Sequence, residues 1–451
     1  MSAPNVPELG TGHEDLESDP ERSSFPYKEK AVPRVKYAAD GKGRVLAWTF
    51  SVAVVFSIVT LISRSQARFS NYVPSLFLPA QAVEQCPDWF AAVADEFSPW
   101  KEKGGIDLAD VEAAQPMASS RFQIINGSLY AEDFKGCWQT RKRYSMWGLL
   151  MFLRHFGDVV PDVDFMFDCG DMPQARRSPH PSDPIPALWG YNRQEESIDL
   201  TLPDWSFWGW PEVEITRWEE HGQKIMDAGR TFADWEERKA TAFWKGALDV
   251  TAGLTAGLRA NLTACTADPA NGVEAYGKDW RAGGFSDTRQ WEQCGWRYRI
   301  YAEGFAWSVS MKYGMACGAV MLVIDPFFAA FYHPGLAYGT NALLVRRVPL
   351  CESFREQITW ANAHPAEAEA IGRAGLRFVE EDLSMRHVYD YMLHKFELYA
   401  QLQTFTPMRG ERSVLVTEAD ILREASEIEP GKYLVEEVPL RGRPACRMHA
   451  Q

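Results

Sequence analysis

The chain has 451 residues, of which 46% are hydrophobic and 24% are charged, a balance typical of globular proteins rather than disordered ones. Its formal net charge of -14 lacks the excess of positive charge that is typical of nucleic-acid-binding proteins, which argues against nucleic acid as a partner. The length is sufficient for two domains with additional terminal segments.

The N-terminal part predicts a membrane anchor. Residues 1–44 are polar and rich in Pro and Ser, which indicates a disordered tail, and residues 45–62 form an apolar run without a charge. A bilayer core needs about 17–25 such residues, so the run predicts a transmembrane helix. The alternative, a buried core helix, fits poorly with a segment that is apolar on every face. Cations concentrate before the run, which predicts a cytosolic N-terminus and a luminal remainder.

The cysteines agree with a luminal location. All eight lie after the apolar run, and an even number is typical of an oxidising compartment. Their pairing does not follow from the sequence, and Cys317, inside an apolar stretch, is predicted to be a buried thiol. Glycosylation sequons begin at Asn126 and Asn261. These features predict a single-pass type II protein of the Golgi membrane or of the endoplasmic reticulum membrane. Residues 63–85 are predicted to be a stem that connects the membrane span to the folded luminal region.

The first part of the luminal region has an α/β pattern. Residues 122–130 predict a hairpin around an Asn-Gly pair, the strongest short-range hairpin signal. Residues 144–156 have helical periodicity and end at a glycine, and residues 163–167 indicate a buried strand. A helix followed by a strand is typical of α/β folds.

A compact βαβ unit follows further along the chain. Residues 297–302 predict a strand, residues 307–317 an amphipathic helix and residues 319–324 a second buried strand, so we expect a parallel sheet. Near the end, Ser384 is a candidate cap for a helix over residues 385–402.

A group of acidic residues surrounds the strand at residues 163–167. Asp168 and Asp171 follow it, and ligands of parallel sheets bind beyond the carboxyl ends of strands. A carboxylate there can take a proton from a hydroxyl group; the alternative is a set of turn-forming acids before Pro173. Asp162 and Asp164 form a D-x-D pair that could hold a divalent cation, but they sit at the start of the strand, before its apolar run, so we expect no metal site.

Three further segments are candidates for ligand contact. The helix of the βαβ unit could bind phosphate at its N-terminus, with a glycine before it and hydroxyls and a cation in its first turns, although helix capping explains the same pattern. Residues 203–212 are dense in aromatic rings, which could contact substrate or pack in the core. Residues 243–246 end in Lys-Gly, which suits a phosphate or a turn. The predicted substrate-binding residues are Trp205, Phe207, Trp208 and Trp210.

At these segments the sequence resembles glycosyltransferase family 90, which includes the fungal capsule-associated-protein domain, the Rumi-like protein O-glucosyltransferases and a plant and algal branch. Over roughly residues 85–405 the motifs occur in the order PDVDFMFDCGD, PDWSFWGWPE, FWKG, IYAEGFAWSVSMKYGMACG and VYDYMLHKFELYAQL. The likeness is greatest to the plant and algal branch, which shares the sequence motif Ala-Trp-Ser-Val-Ser.

The resemblance implies a GT-B fold, with two Rossmann-like domains facing each other across a cleft. It also implies inverting, metal-independent sugar transfer from a UDP-sugar. The predicted domains are an acceptor domain carrying the catalytic Asp at residues 86–235, a nucleotide-sugar domain at 236–385, a helix packing back on the first domain at 386–405, and an irregular tail at 406–451.

The resemblance also assigns roles to single residues. The Asp that precedes the Met-Pro pair, Asp171, corresponds to the catalytic base, Ser308 to the serine of a diphosphate-contacting segment, and Ala247 to a residue that touches UDP. The predicted donor-binding residues are Lys245, Gly246, Ala247, Gly304, Phe305, Ala306, Trp307, Ser308, Ser310 and Lys312. The chain departs from relatives at Ser310, where animal enzymes have Arg, and lacks an Arg shortly after the Lys-Gly motif, the next one being Arg259.

These expectations combine into one functional hypothesis. The protein moves a glucosyl or xylosyl group from UDP-glucose or UDP-xylose to a hydroxyl of a glycoprotein or glycan in the secretory pathway, without a metal cofactor. One alternative is an inactive relative that binds carbohydrate or a luminal protein, and another is a metal-dependent enzyme using Asp162 and Asp164.

Overall fold

The computed structural model describes residues 84–232, 234–279, 289–425, 430–437 and 444–448. The predicted cytosolic tail, the transmembrane run at residues 45–62 and almost all of the stem lie outside these residues. Within the described ranges, no helix combines the length and apolarity needed to cross a membrane.

The described residues form a mixed α/β structure. Its strands are β1 Ser120–Ile125, β2 Ser128–Asp133, β3 Val163–Phe167, β4 Leu188–Gly190, β5 Asn192–Gln194, β6 Leu200–Thr201, β7 Lys239–Gly246, β8 Val273–Gly277, β9 Trp296–Tyr301, β10 Val320–Ile324, β11 Phe328–Ala330, β12 Leu343–Val345 and β13 Val414–Leu415. Its α-helices are α1 Val93–Glu96, α2 Ser98–Lys103, α3 Leu108–Ala113, α4 Arg141–Phe156, α5 Trp218–Arg230, α6 Leu258–Ala264, α7 Ser310–Ala316, α8 Leu350–Ala363, α9 Pro365–Arg377, α10 Met385–Leu402, α11 Glu418–Glu424 and α12 Pro430–Tyr433.

The first sheet has the strand order β13-β2-β1-β3-β4-β6 and is mixed. The predicted hairpin is confirmed, since β1 and β2 pair antiparallel around Asn126 and Gly127, which both have positive φ. β3 is antiparallel to β1 but parallel to β4, and β4 is parallel to β6. The expectation of a Rossmann-like first domain is therefore wrong for strand direction, because the tight hairpin places β1 antiparallel beside β3.

The second sheet, β12-β10-β9-β7-β8, is entirely parallel. The predicted βαβ unit is confirmed as β9, α7 and β10. However, α7 begins at Ser310 rather than at residue 307, because the Ser308 amide donates to the Tyr301 hydroxyl at 3.0 Å instead of facing a helix end. A two-stranded antiparallel ribbon pairs β5, which lies between β4 and β6 in the sequence, with β11, which lies between β10 and β12.

The long helix α10 packs on the first sheet. Ser384 caps it through a hydrogen bond from the His387 amide, as predicted. The Phe396 ring stacks on Trp189 with ring centroids 5.2 Å apart, and the Tyr399 hydroxyl donates to the Asp164 carbonyl at 2.8 Å. The division into two domains near residue 235 stays a prediction, although the two sheets lie on either side of it in the sequence.

Two expectations about the cysteines and the C-terminus are wrong. Cys317 is not a thiol but forms a disulfide with Cys294. The tail after residue 405 is not wholly irregular, because it contains β13, α11 and α12, and β13 extends the first sheet beside β2. All eight cysteines are paired, as Cys86–Cys446, Cys137–Cys169, Cys265–Cys351 and Cys294–Cys317.

One glycine of α4 is needed for packing, which leads to a first prediction. A Cβ on Gly148 would lie 2.4 Å from the buried Trp208 ring, so we expect Gly148→Ala to lower the free energy of unfolding by about 1–3 kcal/mol despite alanine's better helix propensity. Chemical denaturation measures the change. Gly431→Ala is the matched control, because a Cβ there meets no atom within 4 Å. Equal stability of the two variants would contradict the packing argument.

Candidate functional site

A cleft of about 520 Å³ opens at the carboxyl end of β3 and faces the loop that follows β9. Asp171 and Met172 line it from the first motif, and Phe305 lines it from the βαβ unit. The structure therefore brings together two of the sequence motifs that lie far apart along the chain. The cleft volume is within the range of about 300–1,000 Å³ that is typical of small-molecule sites.

Asp171 is the acidic residue best placed to react in this cleft. Its side chain is 30% exposed, and one carboxylate oxygen, Oδ1, accepts a hydrogen bond from Arg141 Nη1 at 2.6 Å. The Asn192 side-chain amide donates to the Asp171 carbonyl at 2.8 Å and fixes its backbone. Arg141 lies at the start of α4 and stacks over Trp205, 4.3 Å from the ring centroid. A charged, stacked side chain thus orients the carboxylate.

Asp168, the other acid after β3, has a different role. It is buried and accepts hydrogen bonds from Ser119 Oγ at 2.6 Å and Gln174 Nε2 at 2.7 Å, and Lys135 Nζ lies 3.2 Å from it. Donors therefore surround the carboxylate of Asp168, which makes it a structural residue. Asp171 remains the candidate base of the two.

The D-x-D pair is engaged away from the cleft-lining residues. Asp164 is buried and accepts hydrogen bonds from Arg121 at 2.6 and 2.7 Å and from Gln123 at 2.7 Å. Asp162 accepts a hydrogen bond from the backbone N–H of Asn126 at 2.7 Å. Both carboxylates thus stabilise the β1–β2 hairpin and its junction with β3. The metal-dependent alternative gains no support from this arrangement.

Arg259 is a buried cation near the cleft that was not among the predicted site residues. It lies on α6, and its guanidinium donates to the backbone carbonyls of Ala247 at 3.0 Å and Glu303 at 2.9 Å. Burial lowers its pKa to about 10, while nearby acidic groups, Asp171 among them, oppose the shift, so the side chain remains charged at neutral pH. Neutral carbonyl acceptors leave the charge of this buried cation incompletely compensated.

Arg259 closely approaches the loop after β9. A Cβ on Gly304 would lie 3.2 Å from Arg259 Nη2 and 3.4 Å from the Val250 carbonyl, so a larger residue there would require a small shift of the guanidinium. Of the residues that follow, Phe305 faces the cleft, whereas Ala306 and Trp307 are buried.

The remaining predicted donor-site residues divide into two groups. Ala247 is buried and its carbonyl accepts from Arg259, while Lys245 and Gly246 form the end of β7. The hydroxyl of Ser308, in the turn before α7, lies 2.9 Å from the hydroxyl of Ser310, the first residue of α7. These residues follow the carboxyl ends of β7 and β9, neighbouring strands of the parallel sheet, where ligands of such sheets bind.

Lys312 does not take the predicted position. Its side chain is fully buried, its ammonium donates to Ser206 Oγ at 2.6 Å, and Asp204 lies 3.7 Å away. Burial lowers the pKa of Lys312 to about 8, against the opposite effect of Asp204. Donor binding by Lys312 stays a prediction, which its burial does not support, because its charge attaches α7 to the aromatic segment.

The aromatic segment is also core rather than ligand surface for most of its length. The rings of Trp205, Phe207 and Trp208 are buried, and Trp208 Nε1 donates to the Tyr389 hydroxyl on α10 at 2.9 Å. Trp210 is half-buried against Trp205. Substrate binding by the three buried rings stays a prediction, which their burial in the core does not support.

A second missed group lies at the end of β9. Glu303 is fully buried and accepts from the amides of Phe327 and Phe328 at 3.2 and 2.8 Å, and Arg347 forms an ion pair with it. Burial raises the pKa of Glu303, opposed by the Phe328 amide and by Arg347. This carboxylate fixes the loop after β10 against the loop that carries Gly304.

Comparison with known proteins shows the family of this chain. The model of the family described as glycosyl transferase family 90 matches residues 81–448. The chain is 25% identical over 318 residues to an O-glucosyltransferase rumi homolog of Anopheles gambiae, covering 66% of this chain and 74% of the relative. It is 21% identical over 357 residues to protein O-glucosyltransferase 1 of Mus musculus, covering 75% and 85%.

Structural similarity adds little to the sequence match. A solved structure described as a crystal structure of a GtfA/B complex is 12% identical and aligns over 37% of each chain with a TM-score of 0.25. This similarity is too low to support an inference about fold or function. The family match spans both sheets and the cleft between their loops. The chain belongs to glycosyl transferase family 90.

Proposed function

We propose that the protein is an inverting glycosyltransferase of GT-B type that moves a glucosyl or xylosyl group from a UDP-sugar to a hydroxyl of a glycoprotein or glycan. One observation carries the proposal. The partly exposed carboxylate of Asp171 lines the same cleft as the Gly304–Phe305 loop, beside the buried cation Arg259. Glycosyl transfer to a hydroxyl requires a base for the acceptor and a positive charge for the departing diphosphate, and both are found near this cleft.

In the proposed reaction, Asp171 accepts the proton of the acceptor hydroxyl. The acceptor oxygen forms a bond to the anomeric carbon from the face opposite the nucleotide, and the bond from that carbon to the phosphate oxygen breaks. The electron pair leaves with UDP, so the anomeric configuration inverts. Arg259 and the hydroxyls of Ser308 and Ser310 stabilise the charge that develops on the departing diphosphate.

The proposed setting is the secretory pathway, with a single-pass type II anchor and a luminal catalytic region, most simply in the Golgi membrane. The four disulfides support an oxidising compartment. The proposed reaction is independent of metal, which the engagement of Asp164 with Arg121 supports. The Gly304–Phe305 loop and Asp171 need no bridging cation in this mechanism.

The test is release of UDP by the purified full-length protein from a panel that includes UDP-glucose and UDP-xylose, with and without EDTA. We expect release from one donor at an unchanged rate in EDTA. Loss of activity in EDTA would contradict metal independence. A protein that neither releases UDP nor binds it would contradict the proposed function and favour the inactive relative. Arg259 counts against that alternative, because it places a cation beside Ala247, the residue that follows the Lys-Gly motif.

Arg141 leads to a prediction about positioning. We expect Arg141→Met to lower kcat by about tenfold to a hundredfold, because the Asp171 carboxylate loses its fixed direction, while UDP affinity stays unchanged. Arg141→Lys keeps the charge but not the stacking on Trp205, so it restores part of the rate. Steady-state kinetics and calorimetry of UDP binding measure both effects. Lys142→Met is the control, since its ammonium contacts Asp133 at the surface. An unchanged kcat in Arg141→Met would refute the positioning role.

A further inference from the structure

An exposed tryptophan stands in the catalytic cleft. Trp138 lines the cleft together with Asp171, yet its side chain is 71% exposed. Met172 and Phe305 line the same cleft and are 44% and 40% exposed. Single exposed apolar residues are common on protein surfaces, but here the large apolar side chains converge around the candidate base.

The backbone around Trp138 is held so that the ring stays out of the core. The preceding Cys137 is bonded to Cys169, two residues before Asp171, so the ring is covalently tied to the wall that carries the base. The following Gln139 has φ of 55°, a left-handed conformation that is unfavourable for a residue other than glycine. Such strain persists only where the surroundings fix it, and it is concentrated at functional sites.

Two contacts of the aromatic segment fix the strained turn. The Gln139 side-chain oxygen accepts from Trp210 Nε1 at 3.0 Å. The amide and hydroxyl of Thr140 both donate to Glu212, each at 2.8 Å. Burial of a tryptophan ring is strongly favourable, yet the strain, the disulfide and the hydrogen bonds of this turn keep the Trp138 ring exposed. A ligand that covers the ring explains this arrangement.

We propose that Trp138 is the stacking platform for a pyranose ring of a saccharide acceptor, with Met172 and Phe305 beside it. This inference rests on the proposed function and deepens it. Trp138 and Asp171 lie on the same wall, and Asp171 receives the proton of the acceptor, so the ring faces acceptor rather than nucleotide. A pyranose places its C–H face on the indole while one of its hydroxyls reaches the carboxylate.

The size of the site favours a saccharide over a folded protein as the group that Trp138 contacts. A stable protein interface buries about 800 Å² on each partner. The cleft of about 520 Å³ instead has the dimensions of a small-molecule site, with a few apolar side chains and one reactive polar group. A glycan chain offers sugar rings one at a time, which suits a single platform beside a base.

The test compares Trp138→Ala and Trp138→Phe with Trp360→Ala, an exposed tryptophan that stacks on His364 of the loop between α8 and α9. The full-length enzyme transfers radiolabelled sugar from its donor to methyl pyranosides of glucose, mannose, galactose and xylose, and to a deglycosylated secreted-protein fraction. We expect Trp138→Ala to raise the KM of the best pyranoside about tenfold or more, and Trp138→Phe to raise it less. UDP release without acceptor and the Trp360→Ala enzyme stay unchanged.

Several outcomes would overturn the inference. An unchanged pyranoside KM in Trp138→Ala would do so, as would equal losses of donor hydrolysis and transfer, which assign the ring to the donor or to folding. Transfer by the wild type to protein but to no pyranoside would leave the proposed function standing and refute the saccharide platform. Saturation-transfer NMR of the same methyl pyranosides with UDP present gives a second readout without turnover, in which Trp138→Ala loses the signal. Absence of any UDP release would instead count against the proposed function.

Discussion

Replacement of Asp171 by Asn is expected to lower kcat by about 10²–10⁴-fold, the usual contribution of a general base. Asn has the same shape and its side-chain oxygen can still accept from Arg141, so the cleft is preserved while the proton acceptor is lost. The UDP affinity and the melting temperature should therefore match the wild type. UDP release in the presence of acceptor measures the rate, and calorimetry measures the binding.

Asp168→Asn is the informative companion to this variant. It lies three residues earlier in the same cleft, but its carboxylate accepts from Ser119 and Gln174. An amide at that position turns an NH₂ group toward donors, so we expect a loss of about 1–3 kcal/mol of stability. Asp183→Asn, on an exposed loop, should change neither quantity. If Asp171→Asn keeps the wild-type kcat, Asp171 is not the base.

Replacement of Arg259 by Met is the second change with a large expected effect. Loss of a charged hydrogen-bond donor beside the diphosphate should weaken UDP binding by about tenfold to a hundredfold. Uridine lacks phosphate, so its affinity should change little. The ratio of UDP to uridine affinity, measured by calorimetry, therefore separates a direct effect of the guanidinium from a general disturbance of the cleft.

The matched control is another buried arginine bonded to a backbone carbonyl. Arg238 Nη2 donates to the Gly229 carbonyl at 2.9 Å, and burial lowers its pKa as it does for Arg259. Arg238→Met should lower stability without changing the ratio of UDP to uridine affinity. Arg259→Lys retains the charge and is expected to bind UDP with intermediate affinity. An equal weakening of UDP and uridine in Arg259→Met would contradict a role at the diphosphate.

Local sequence patterns located the elements that carry the site. The Asn-Gly hairpin, the buried strand β3 and the β9–α7–β10 unit follow from turn chemistry and hydrophobic periodicity, which act within a few residues. Asp171 also followed from the sequence, because it lies just beyond the end of a strand where ligands bind and because its motif resembles that of a known family.

The assignment of single side chains to the ligand or to the core did not follow from the sequence. Aromatic density at Trp205–Phe207 and a serine-rich turn before Lys312 suit both roles, and only packing decides between them. In the structure, α4 and α10 cover the rings, and Asp204 draws the lysine inward. Burial depends on neighbours that are distant in sequence, so no local window contains that information.

The sequence by itself therefore determined the family, the order of the elements and the position of the candidate base, because these depend on local patterns and ordered motifs. Only the tertiary structure decided which side chains lie around Asp171. Arg141 contacts it from the start of α4, whereas Arg259 on α6 interacts with it only electrostatically, and Trp138 lines the same cleft beside the Cys137–Cys169 disulfide. Charge compensation and ring exposure are properties of side chains brought together across the fold, and these contacts exist only once the chain has folded.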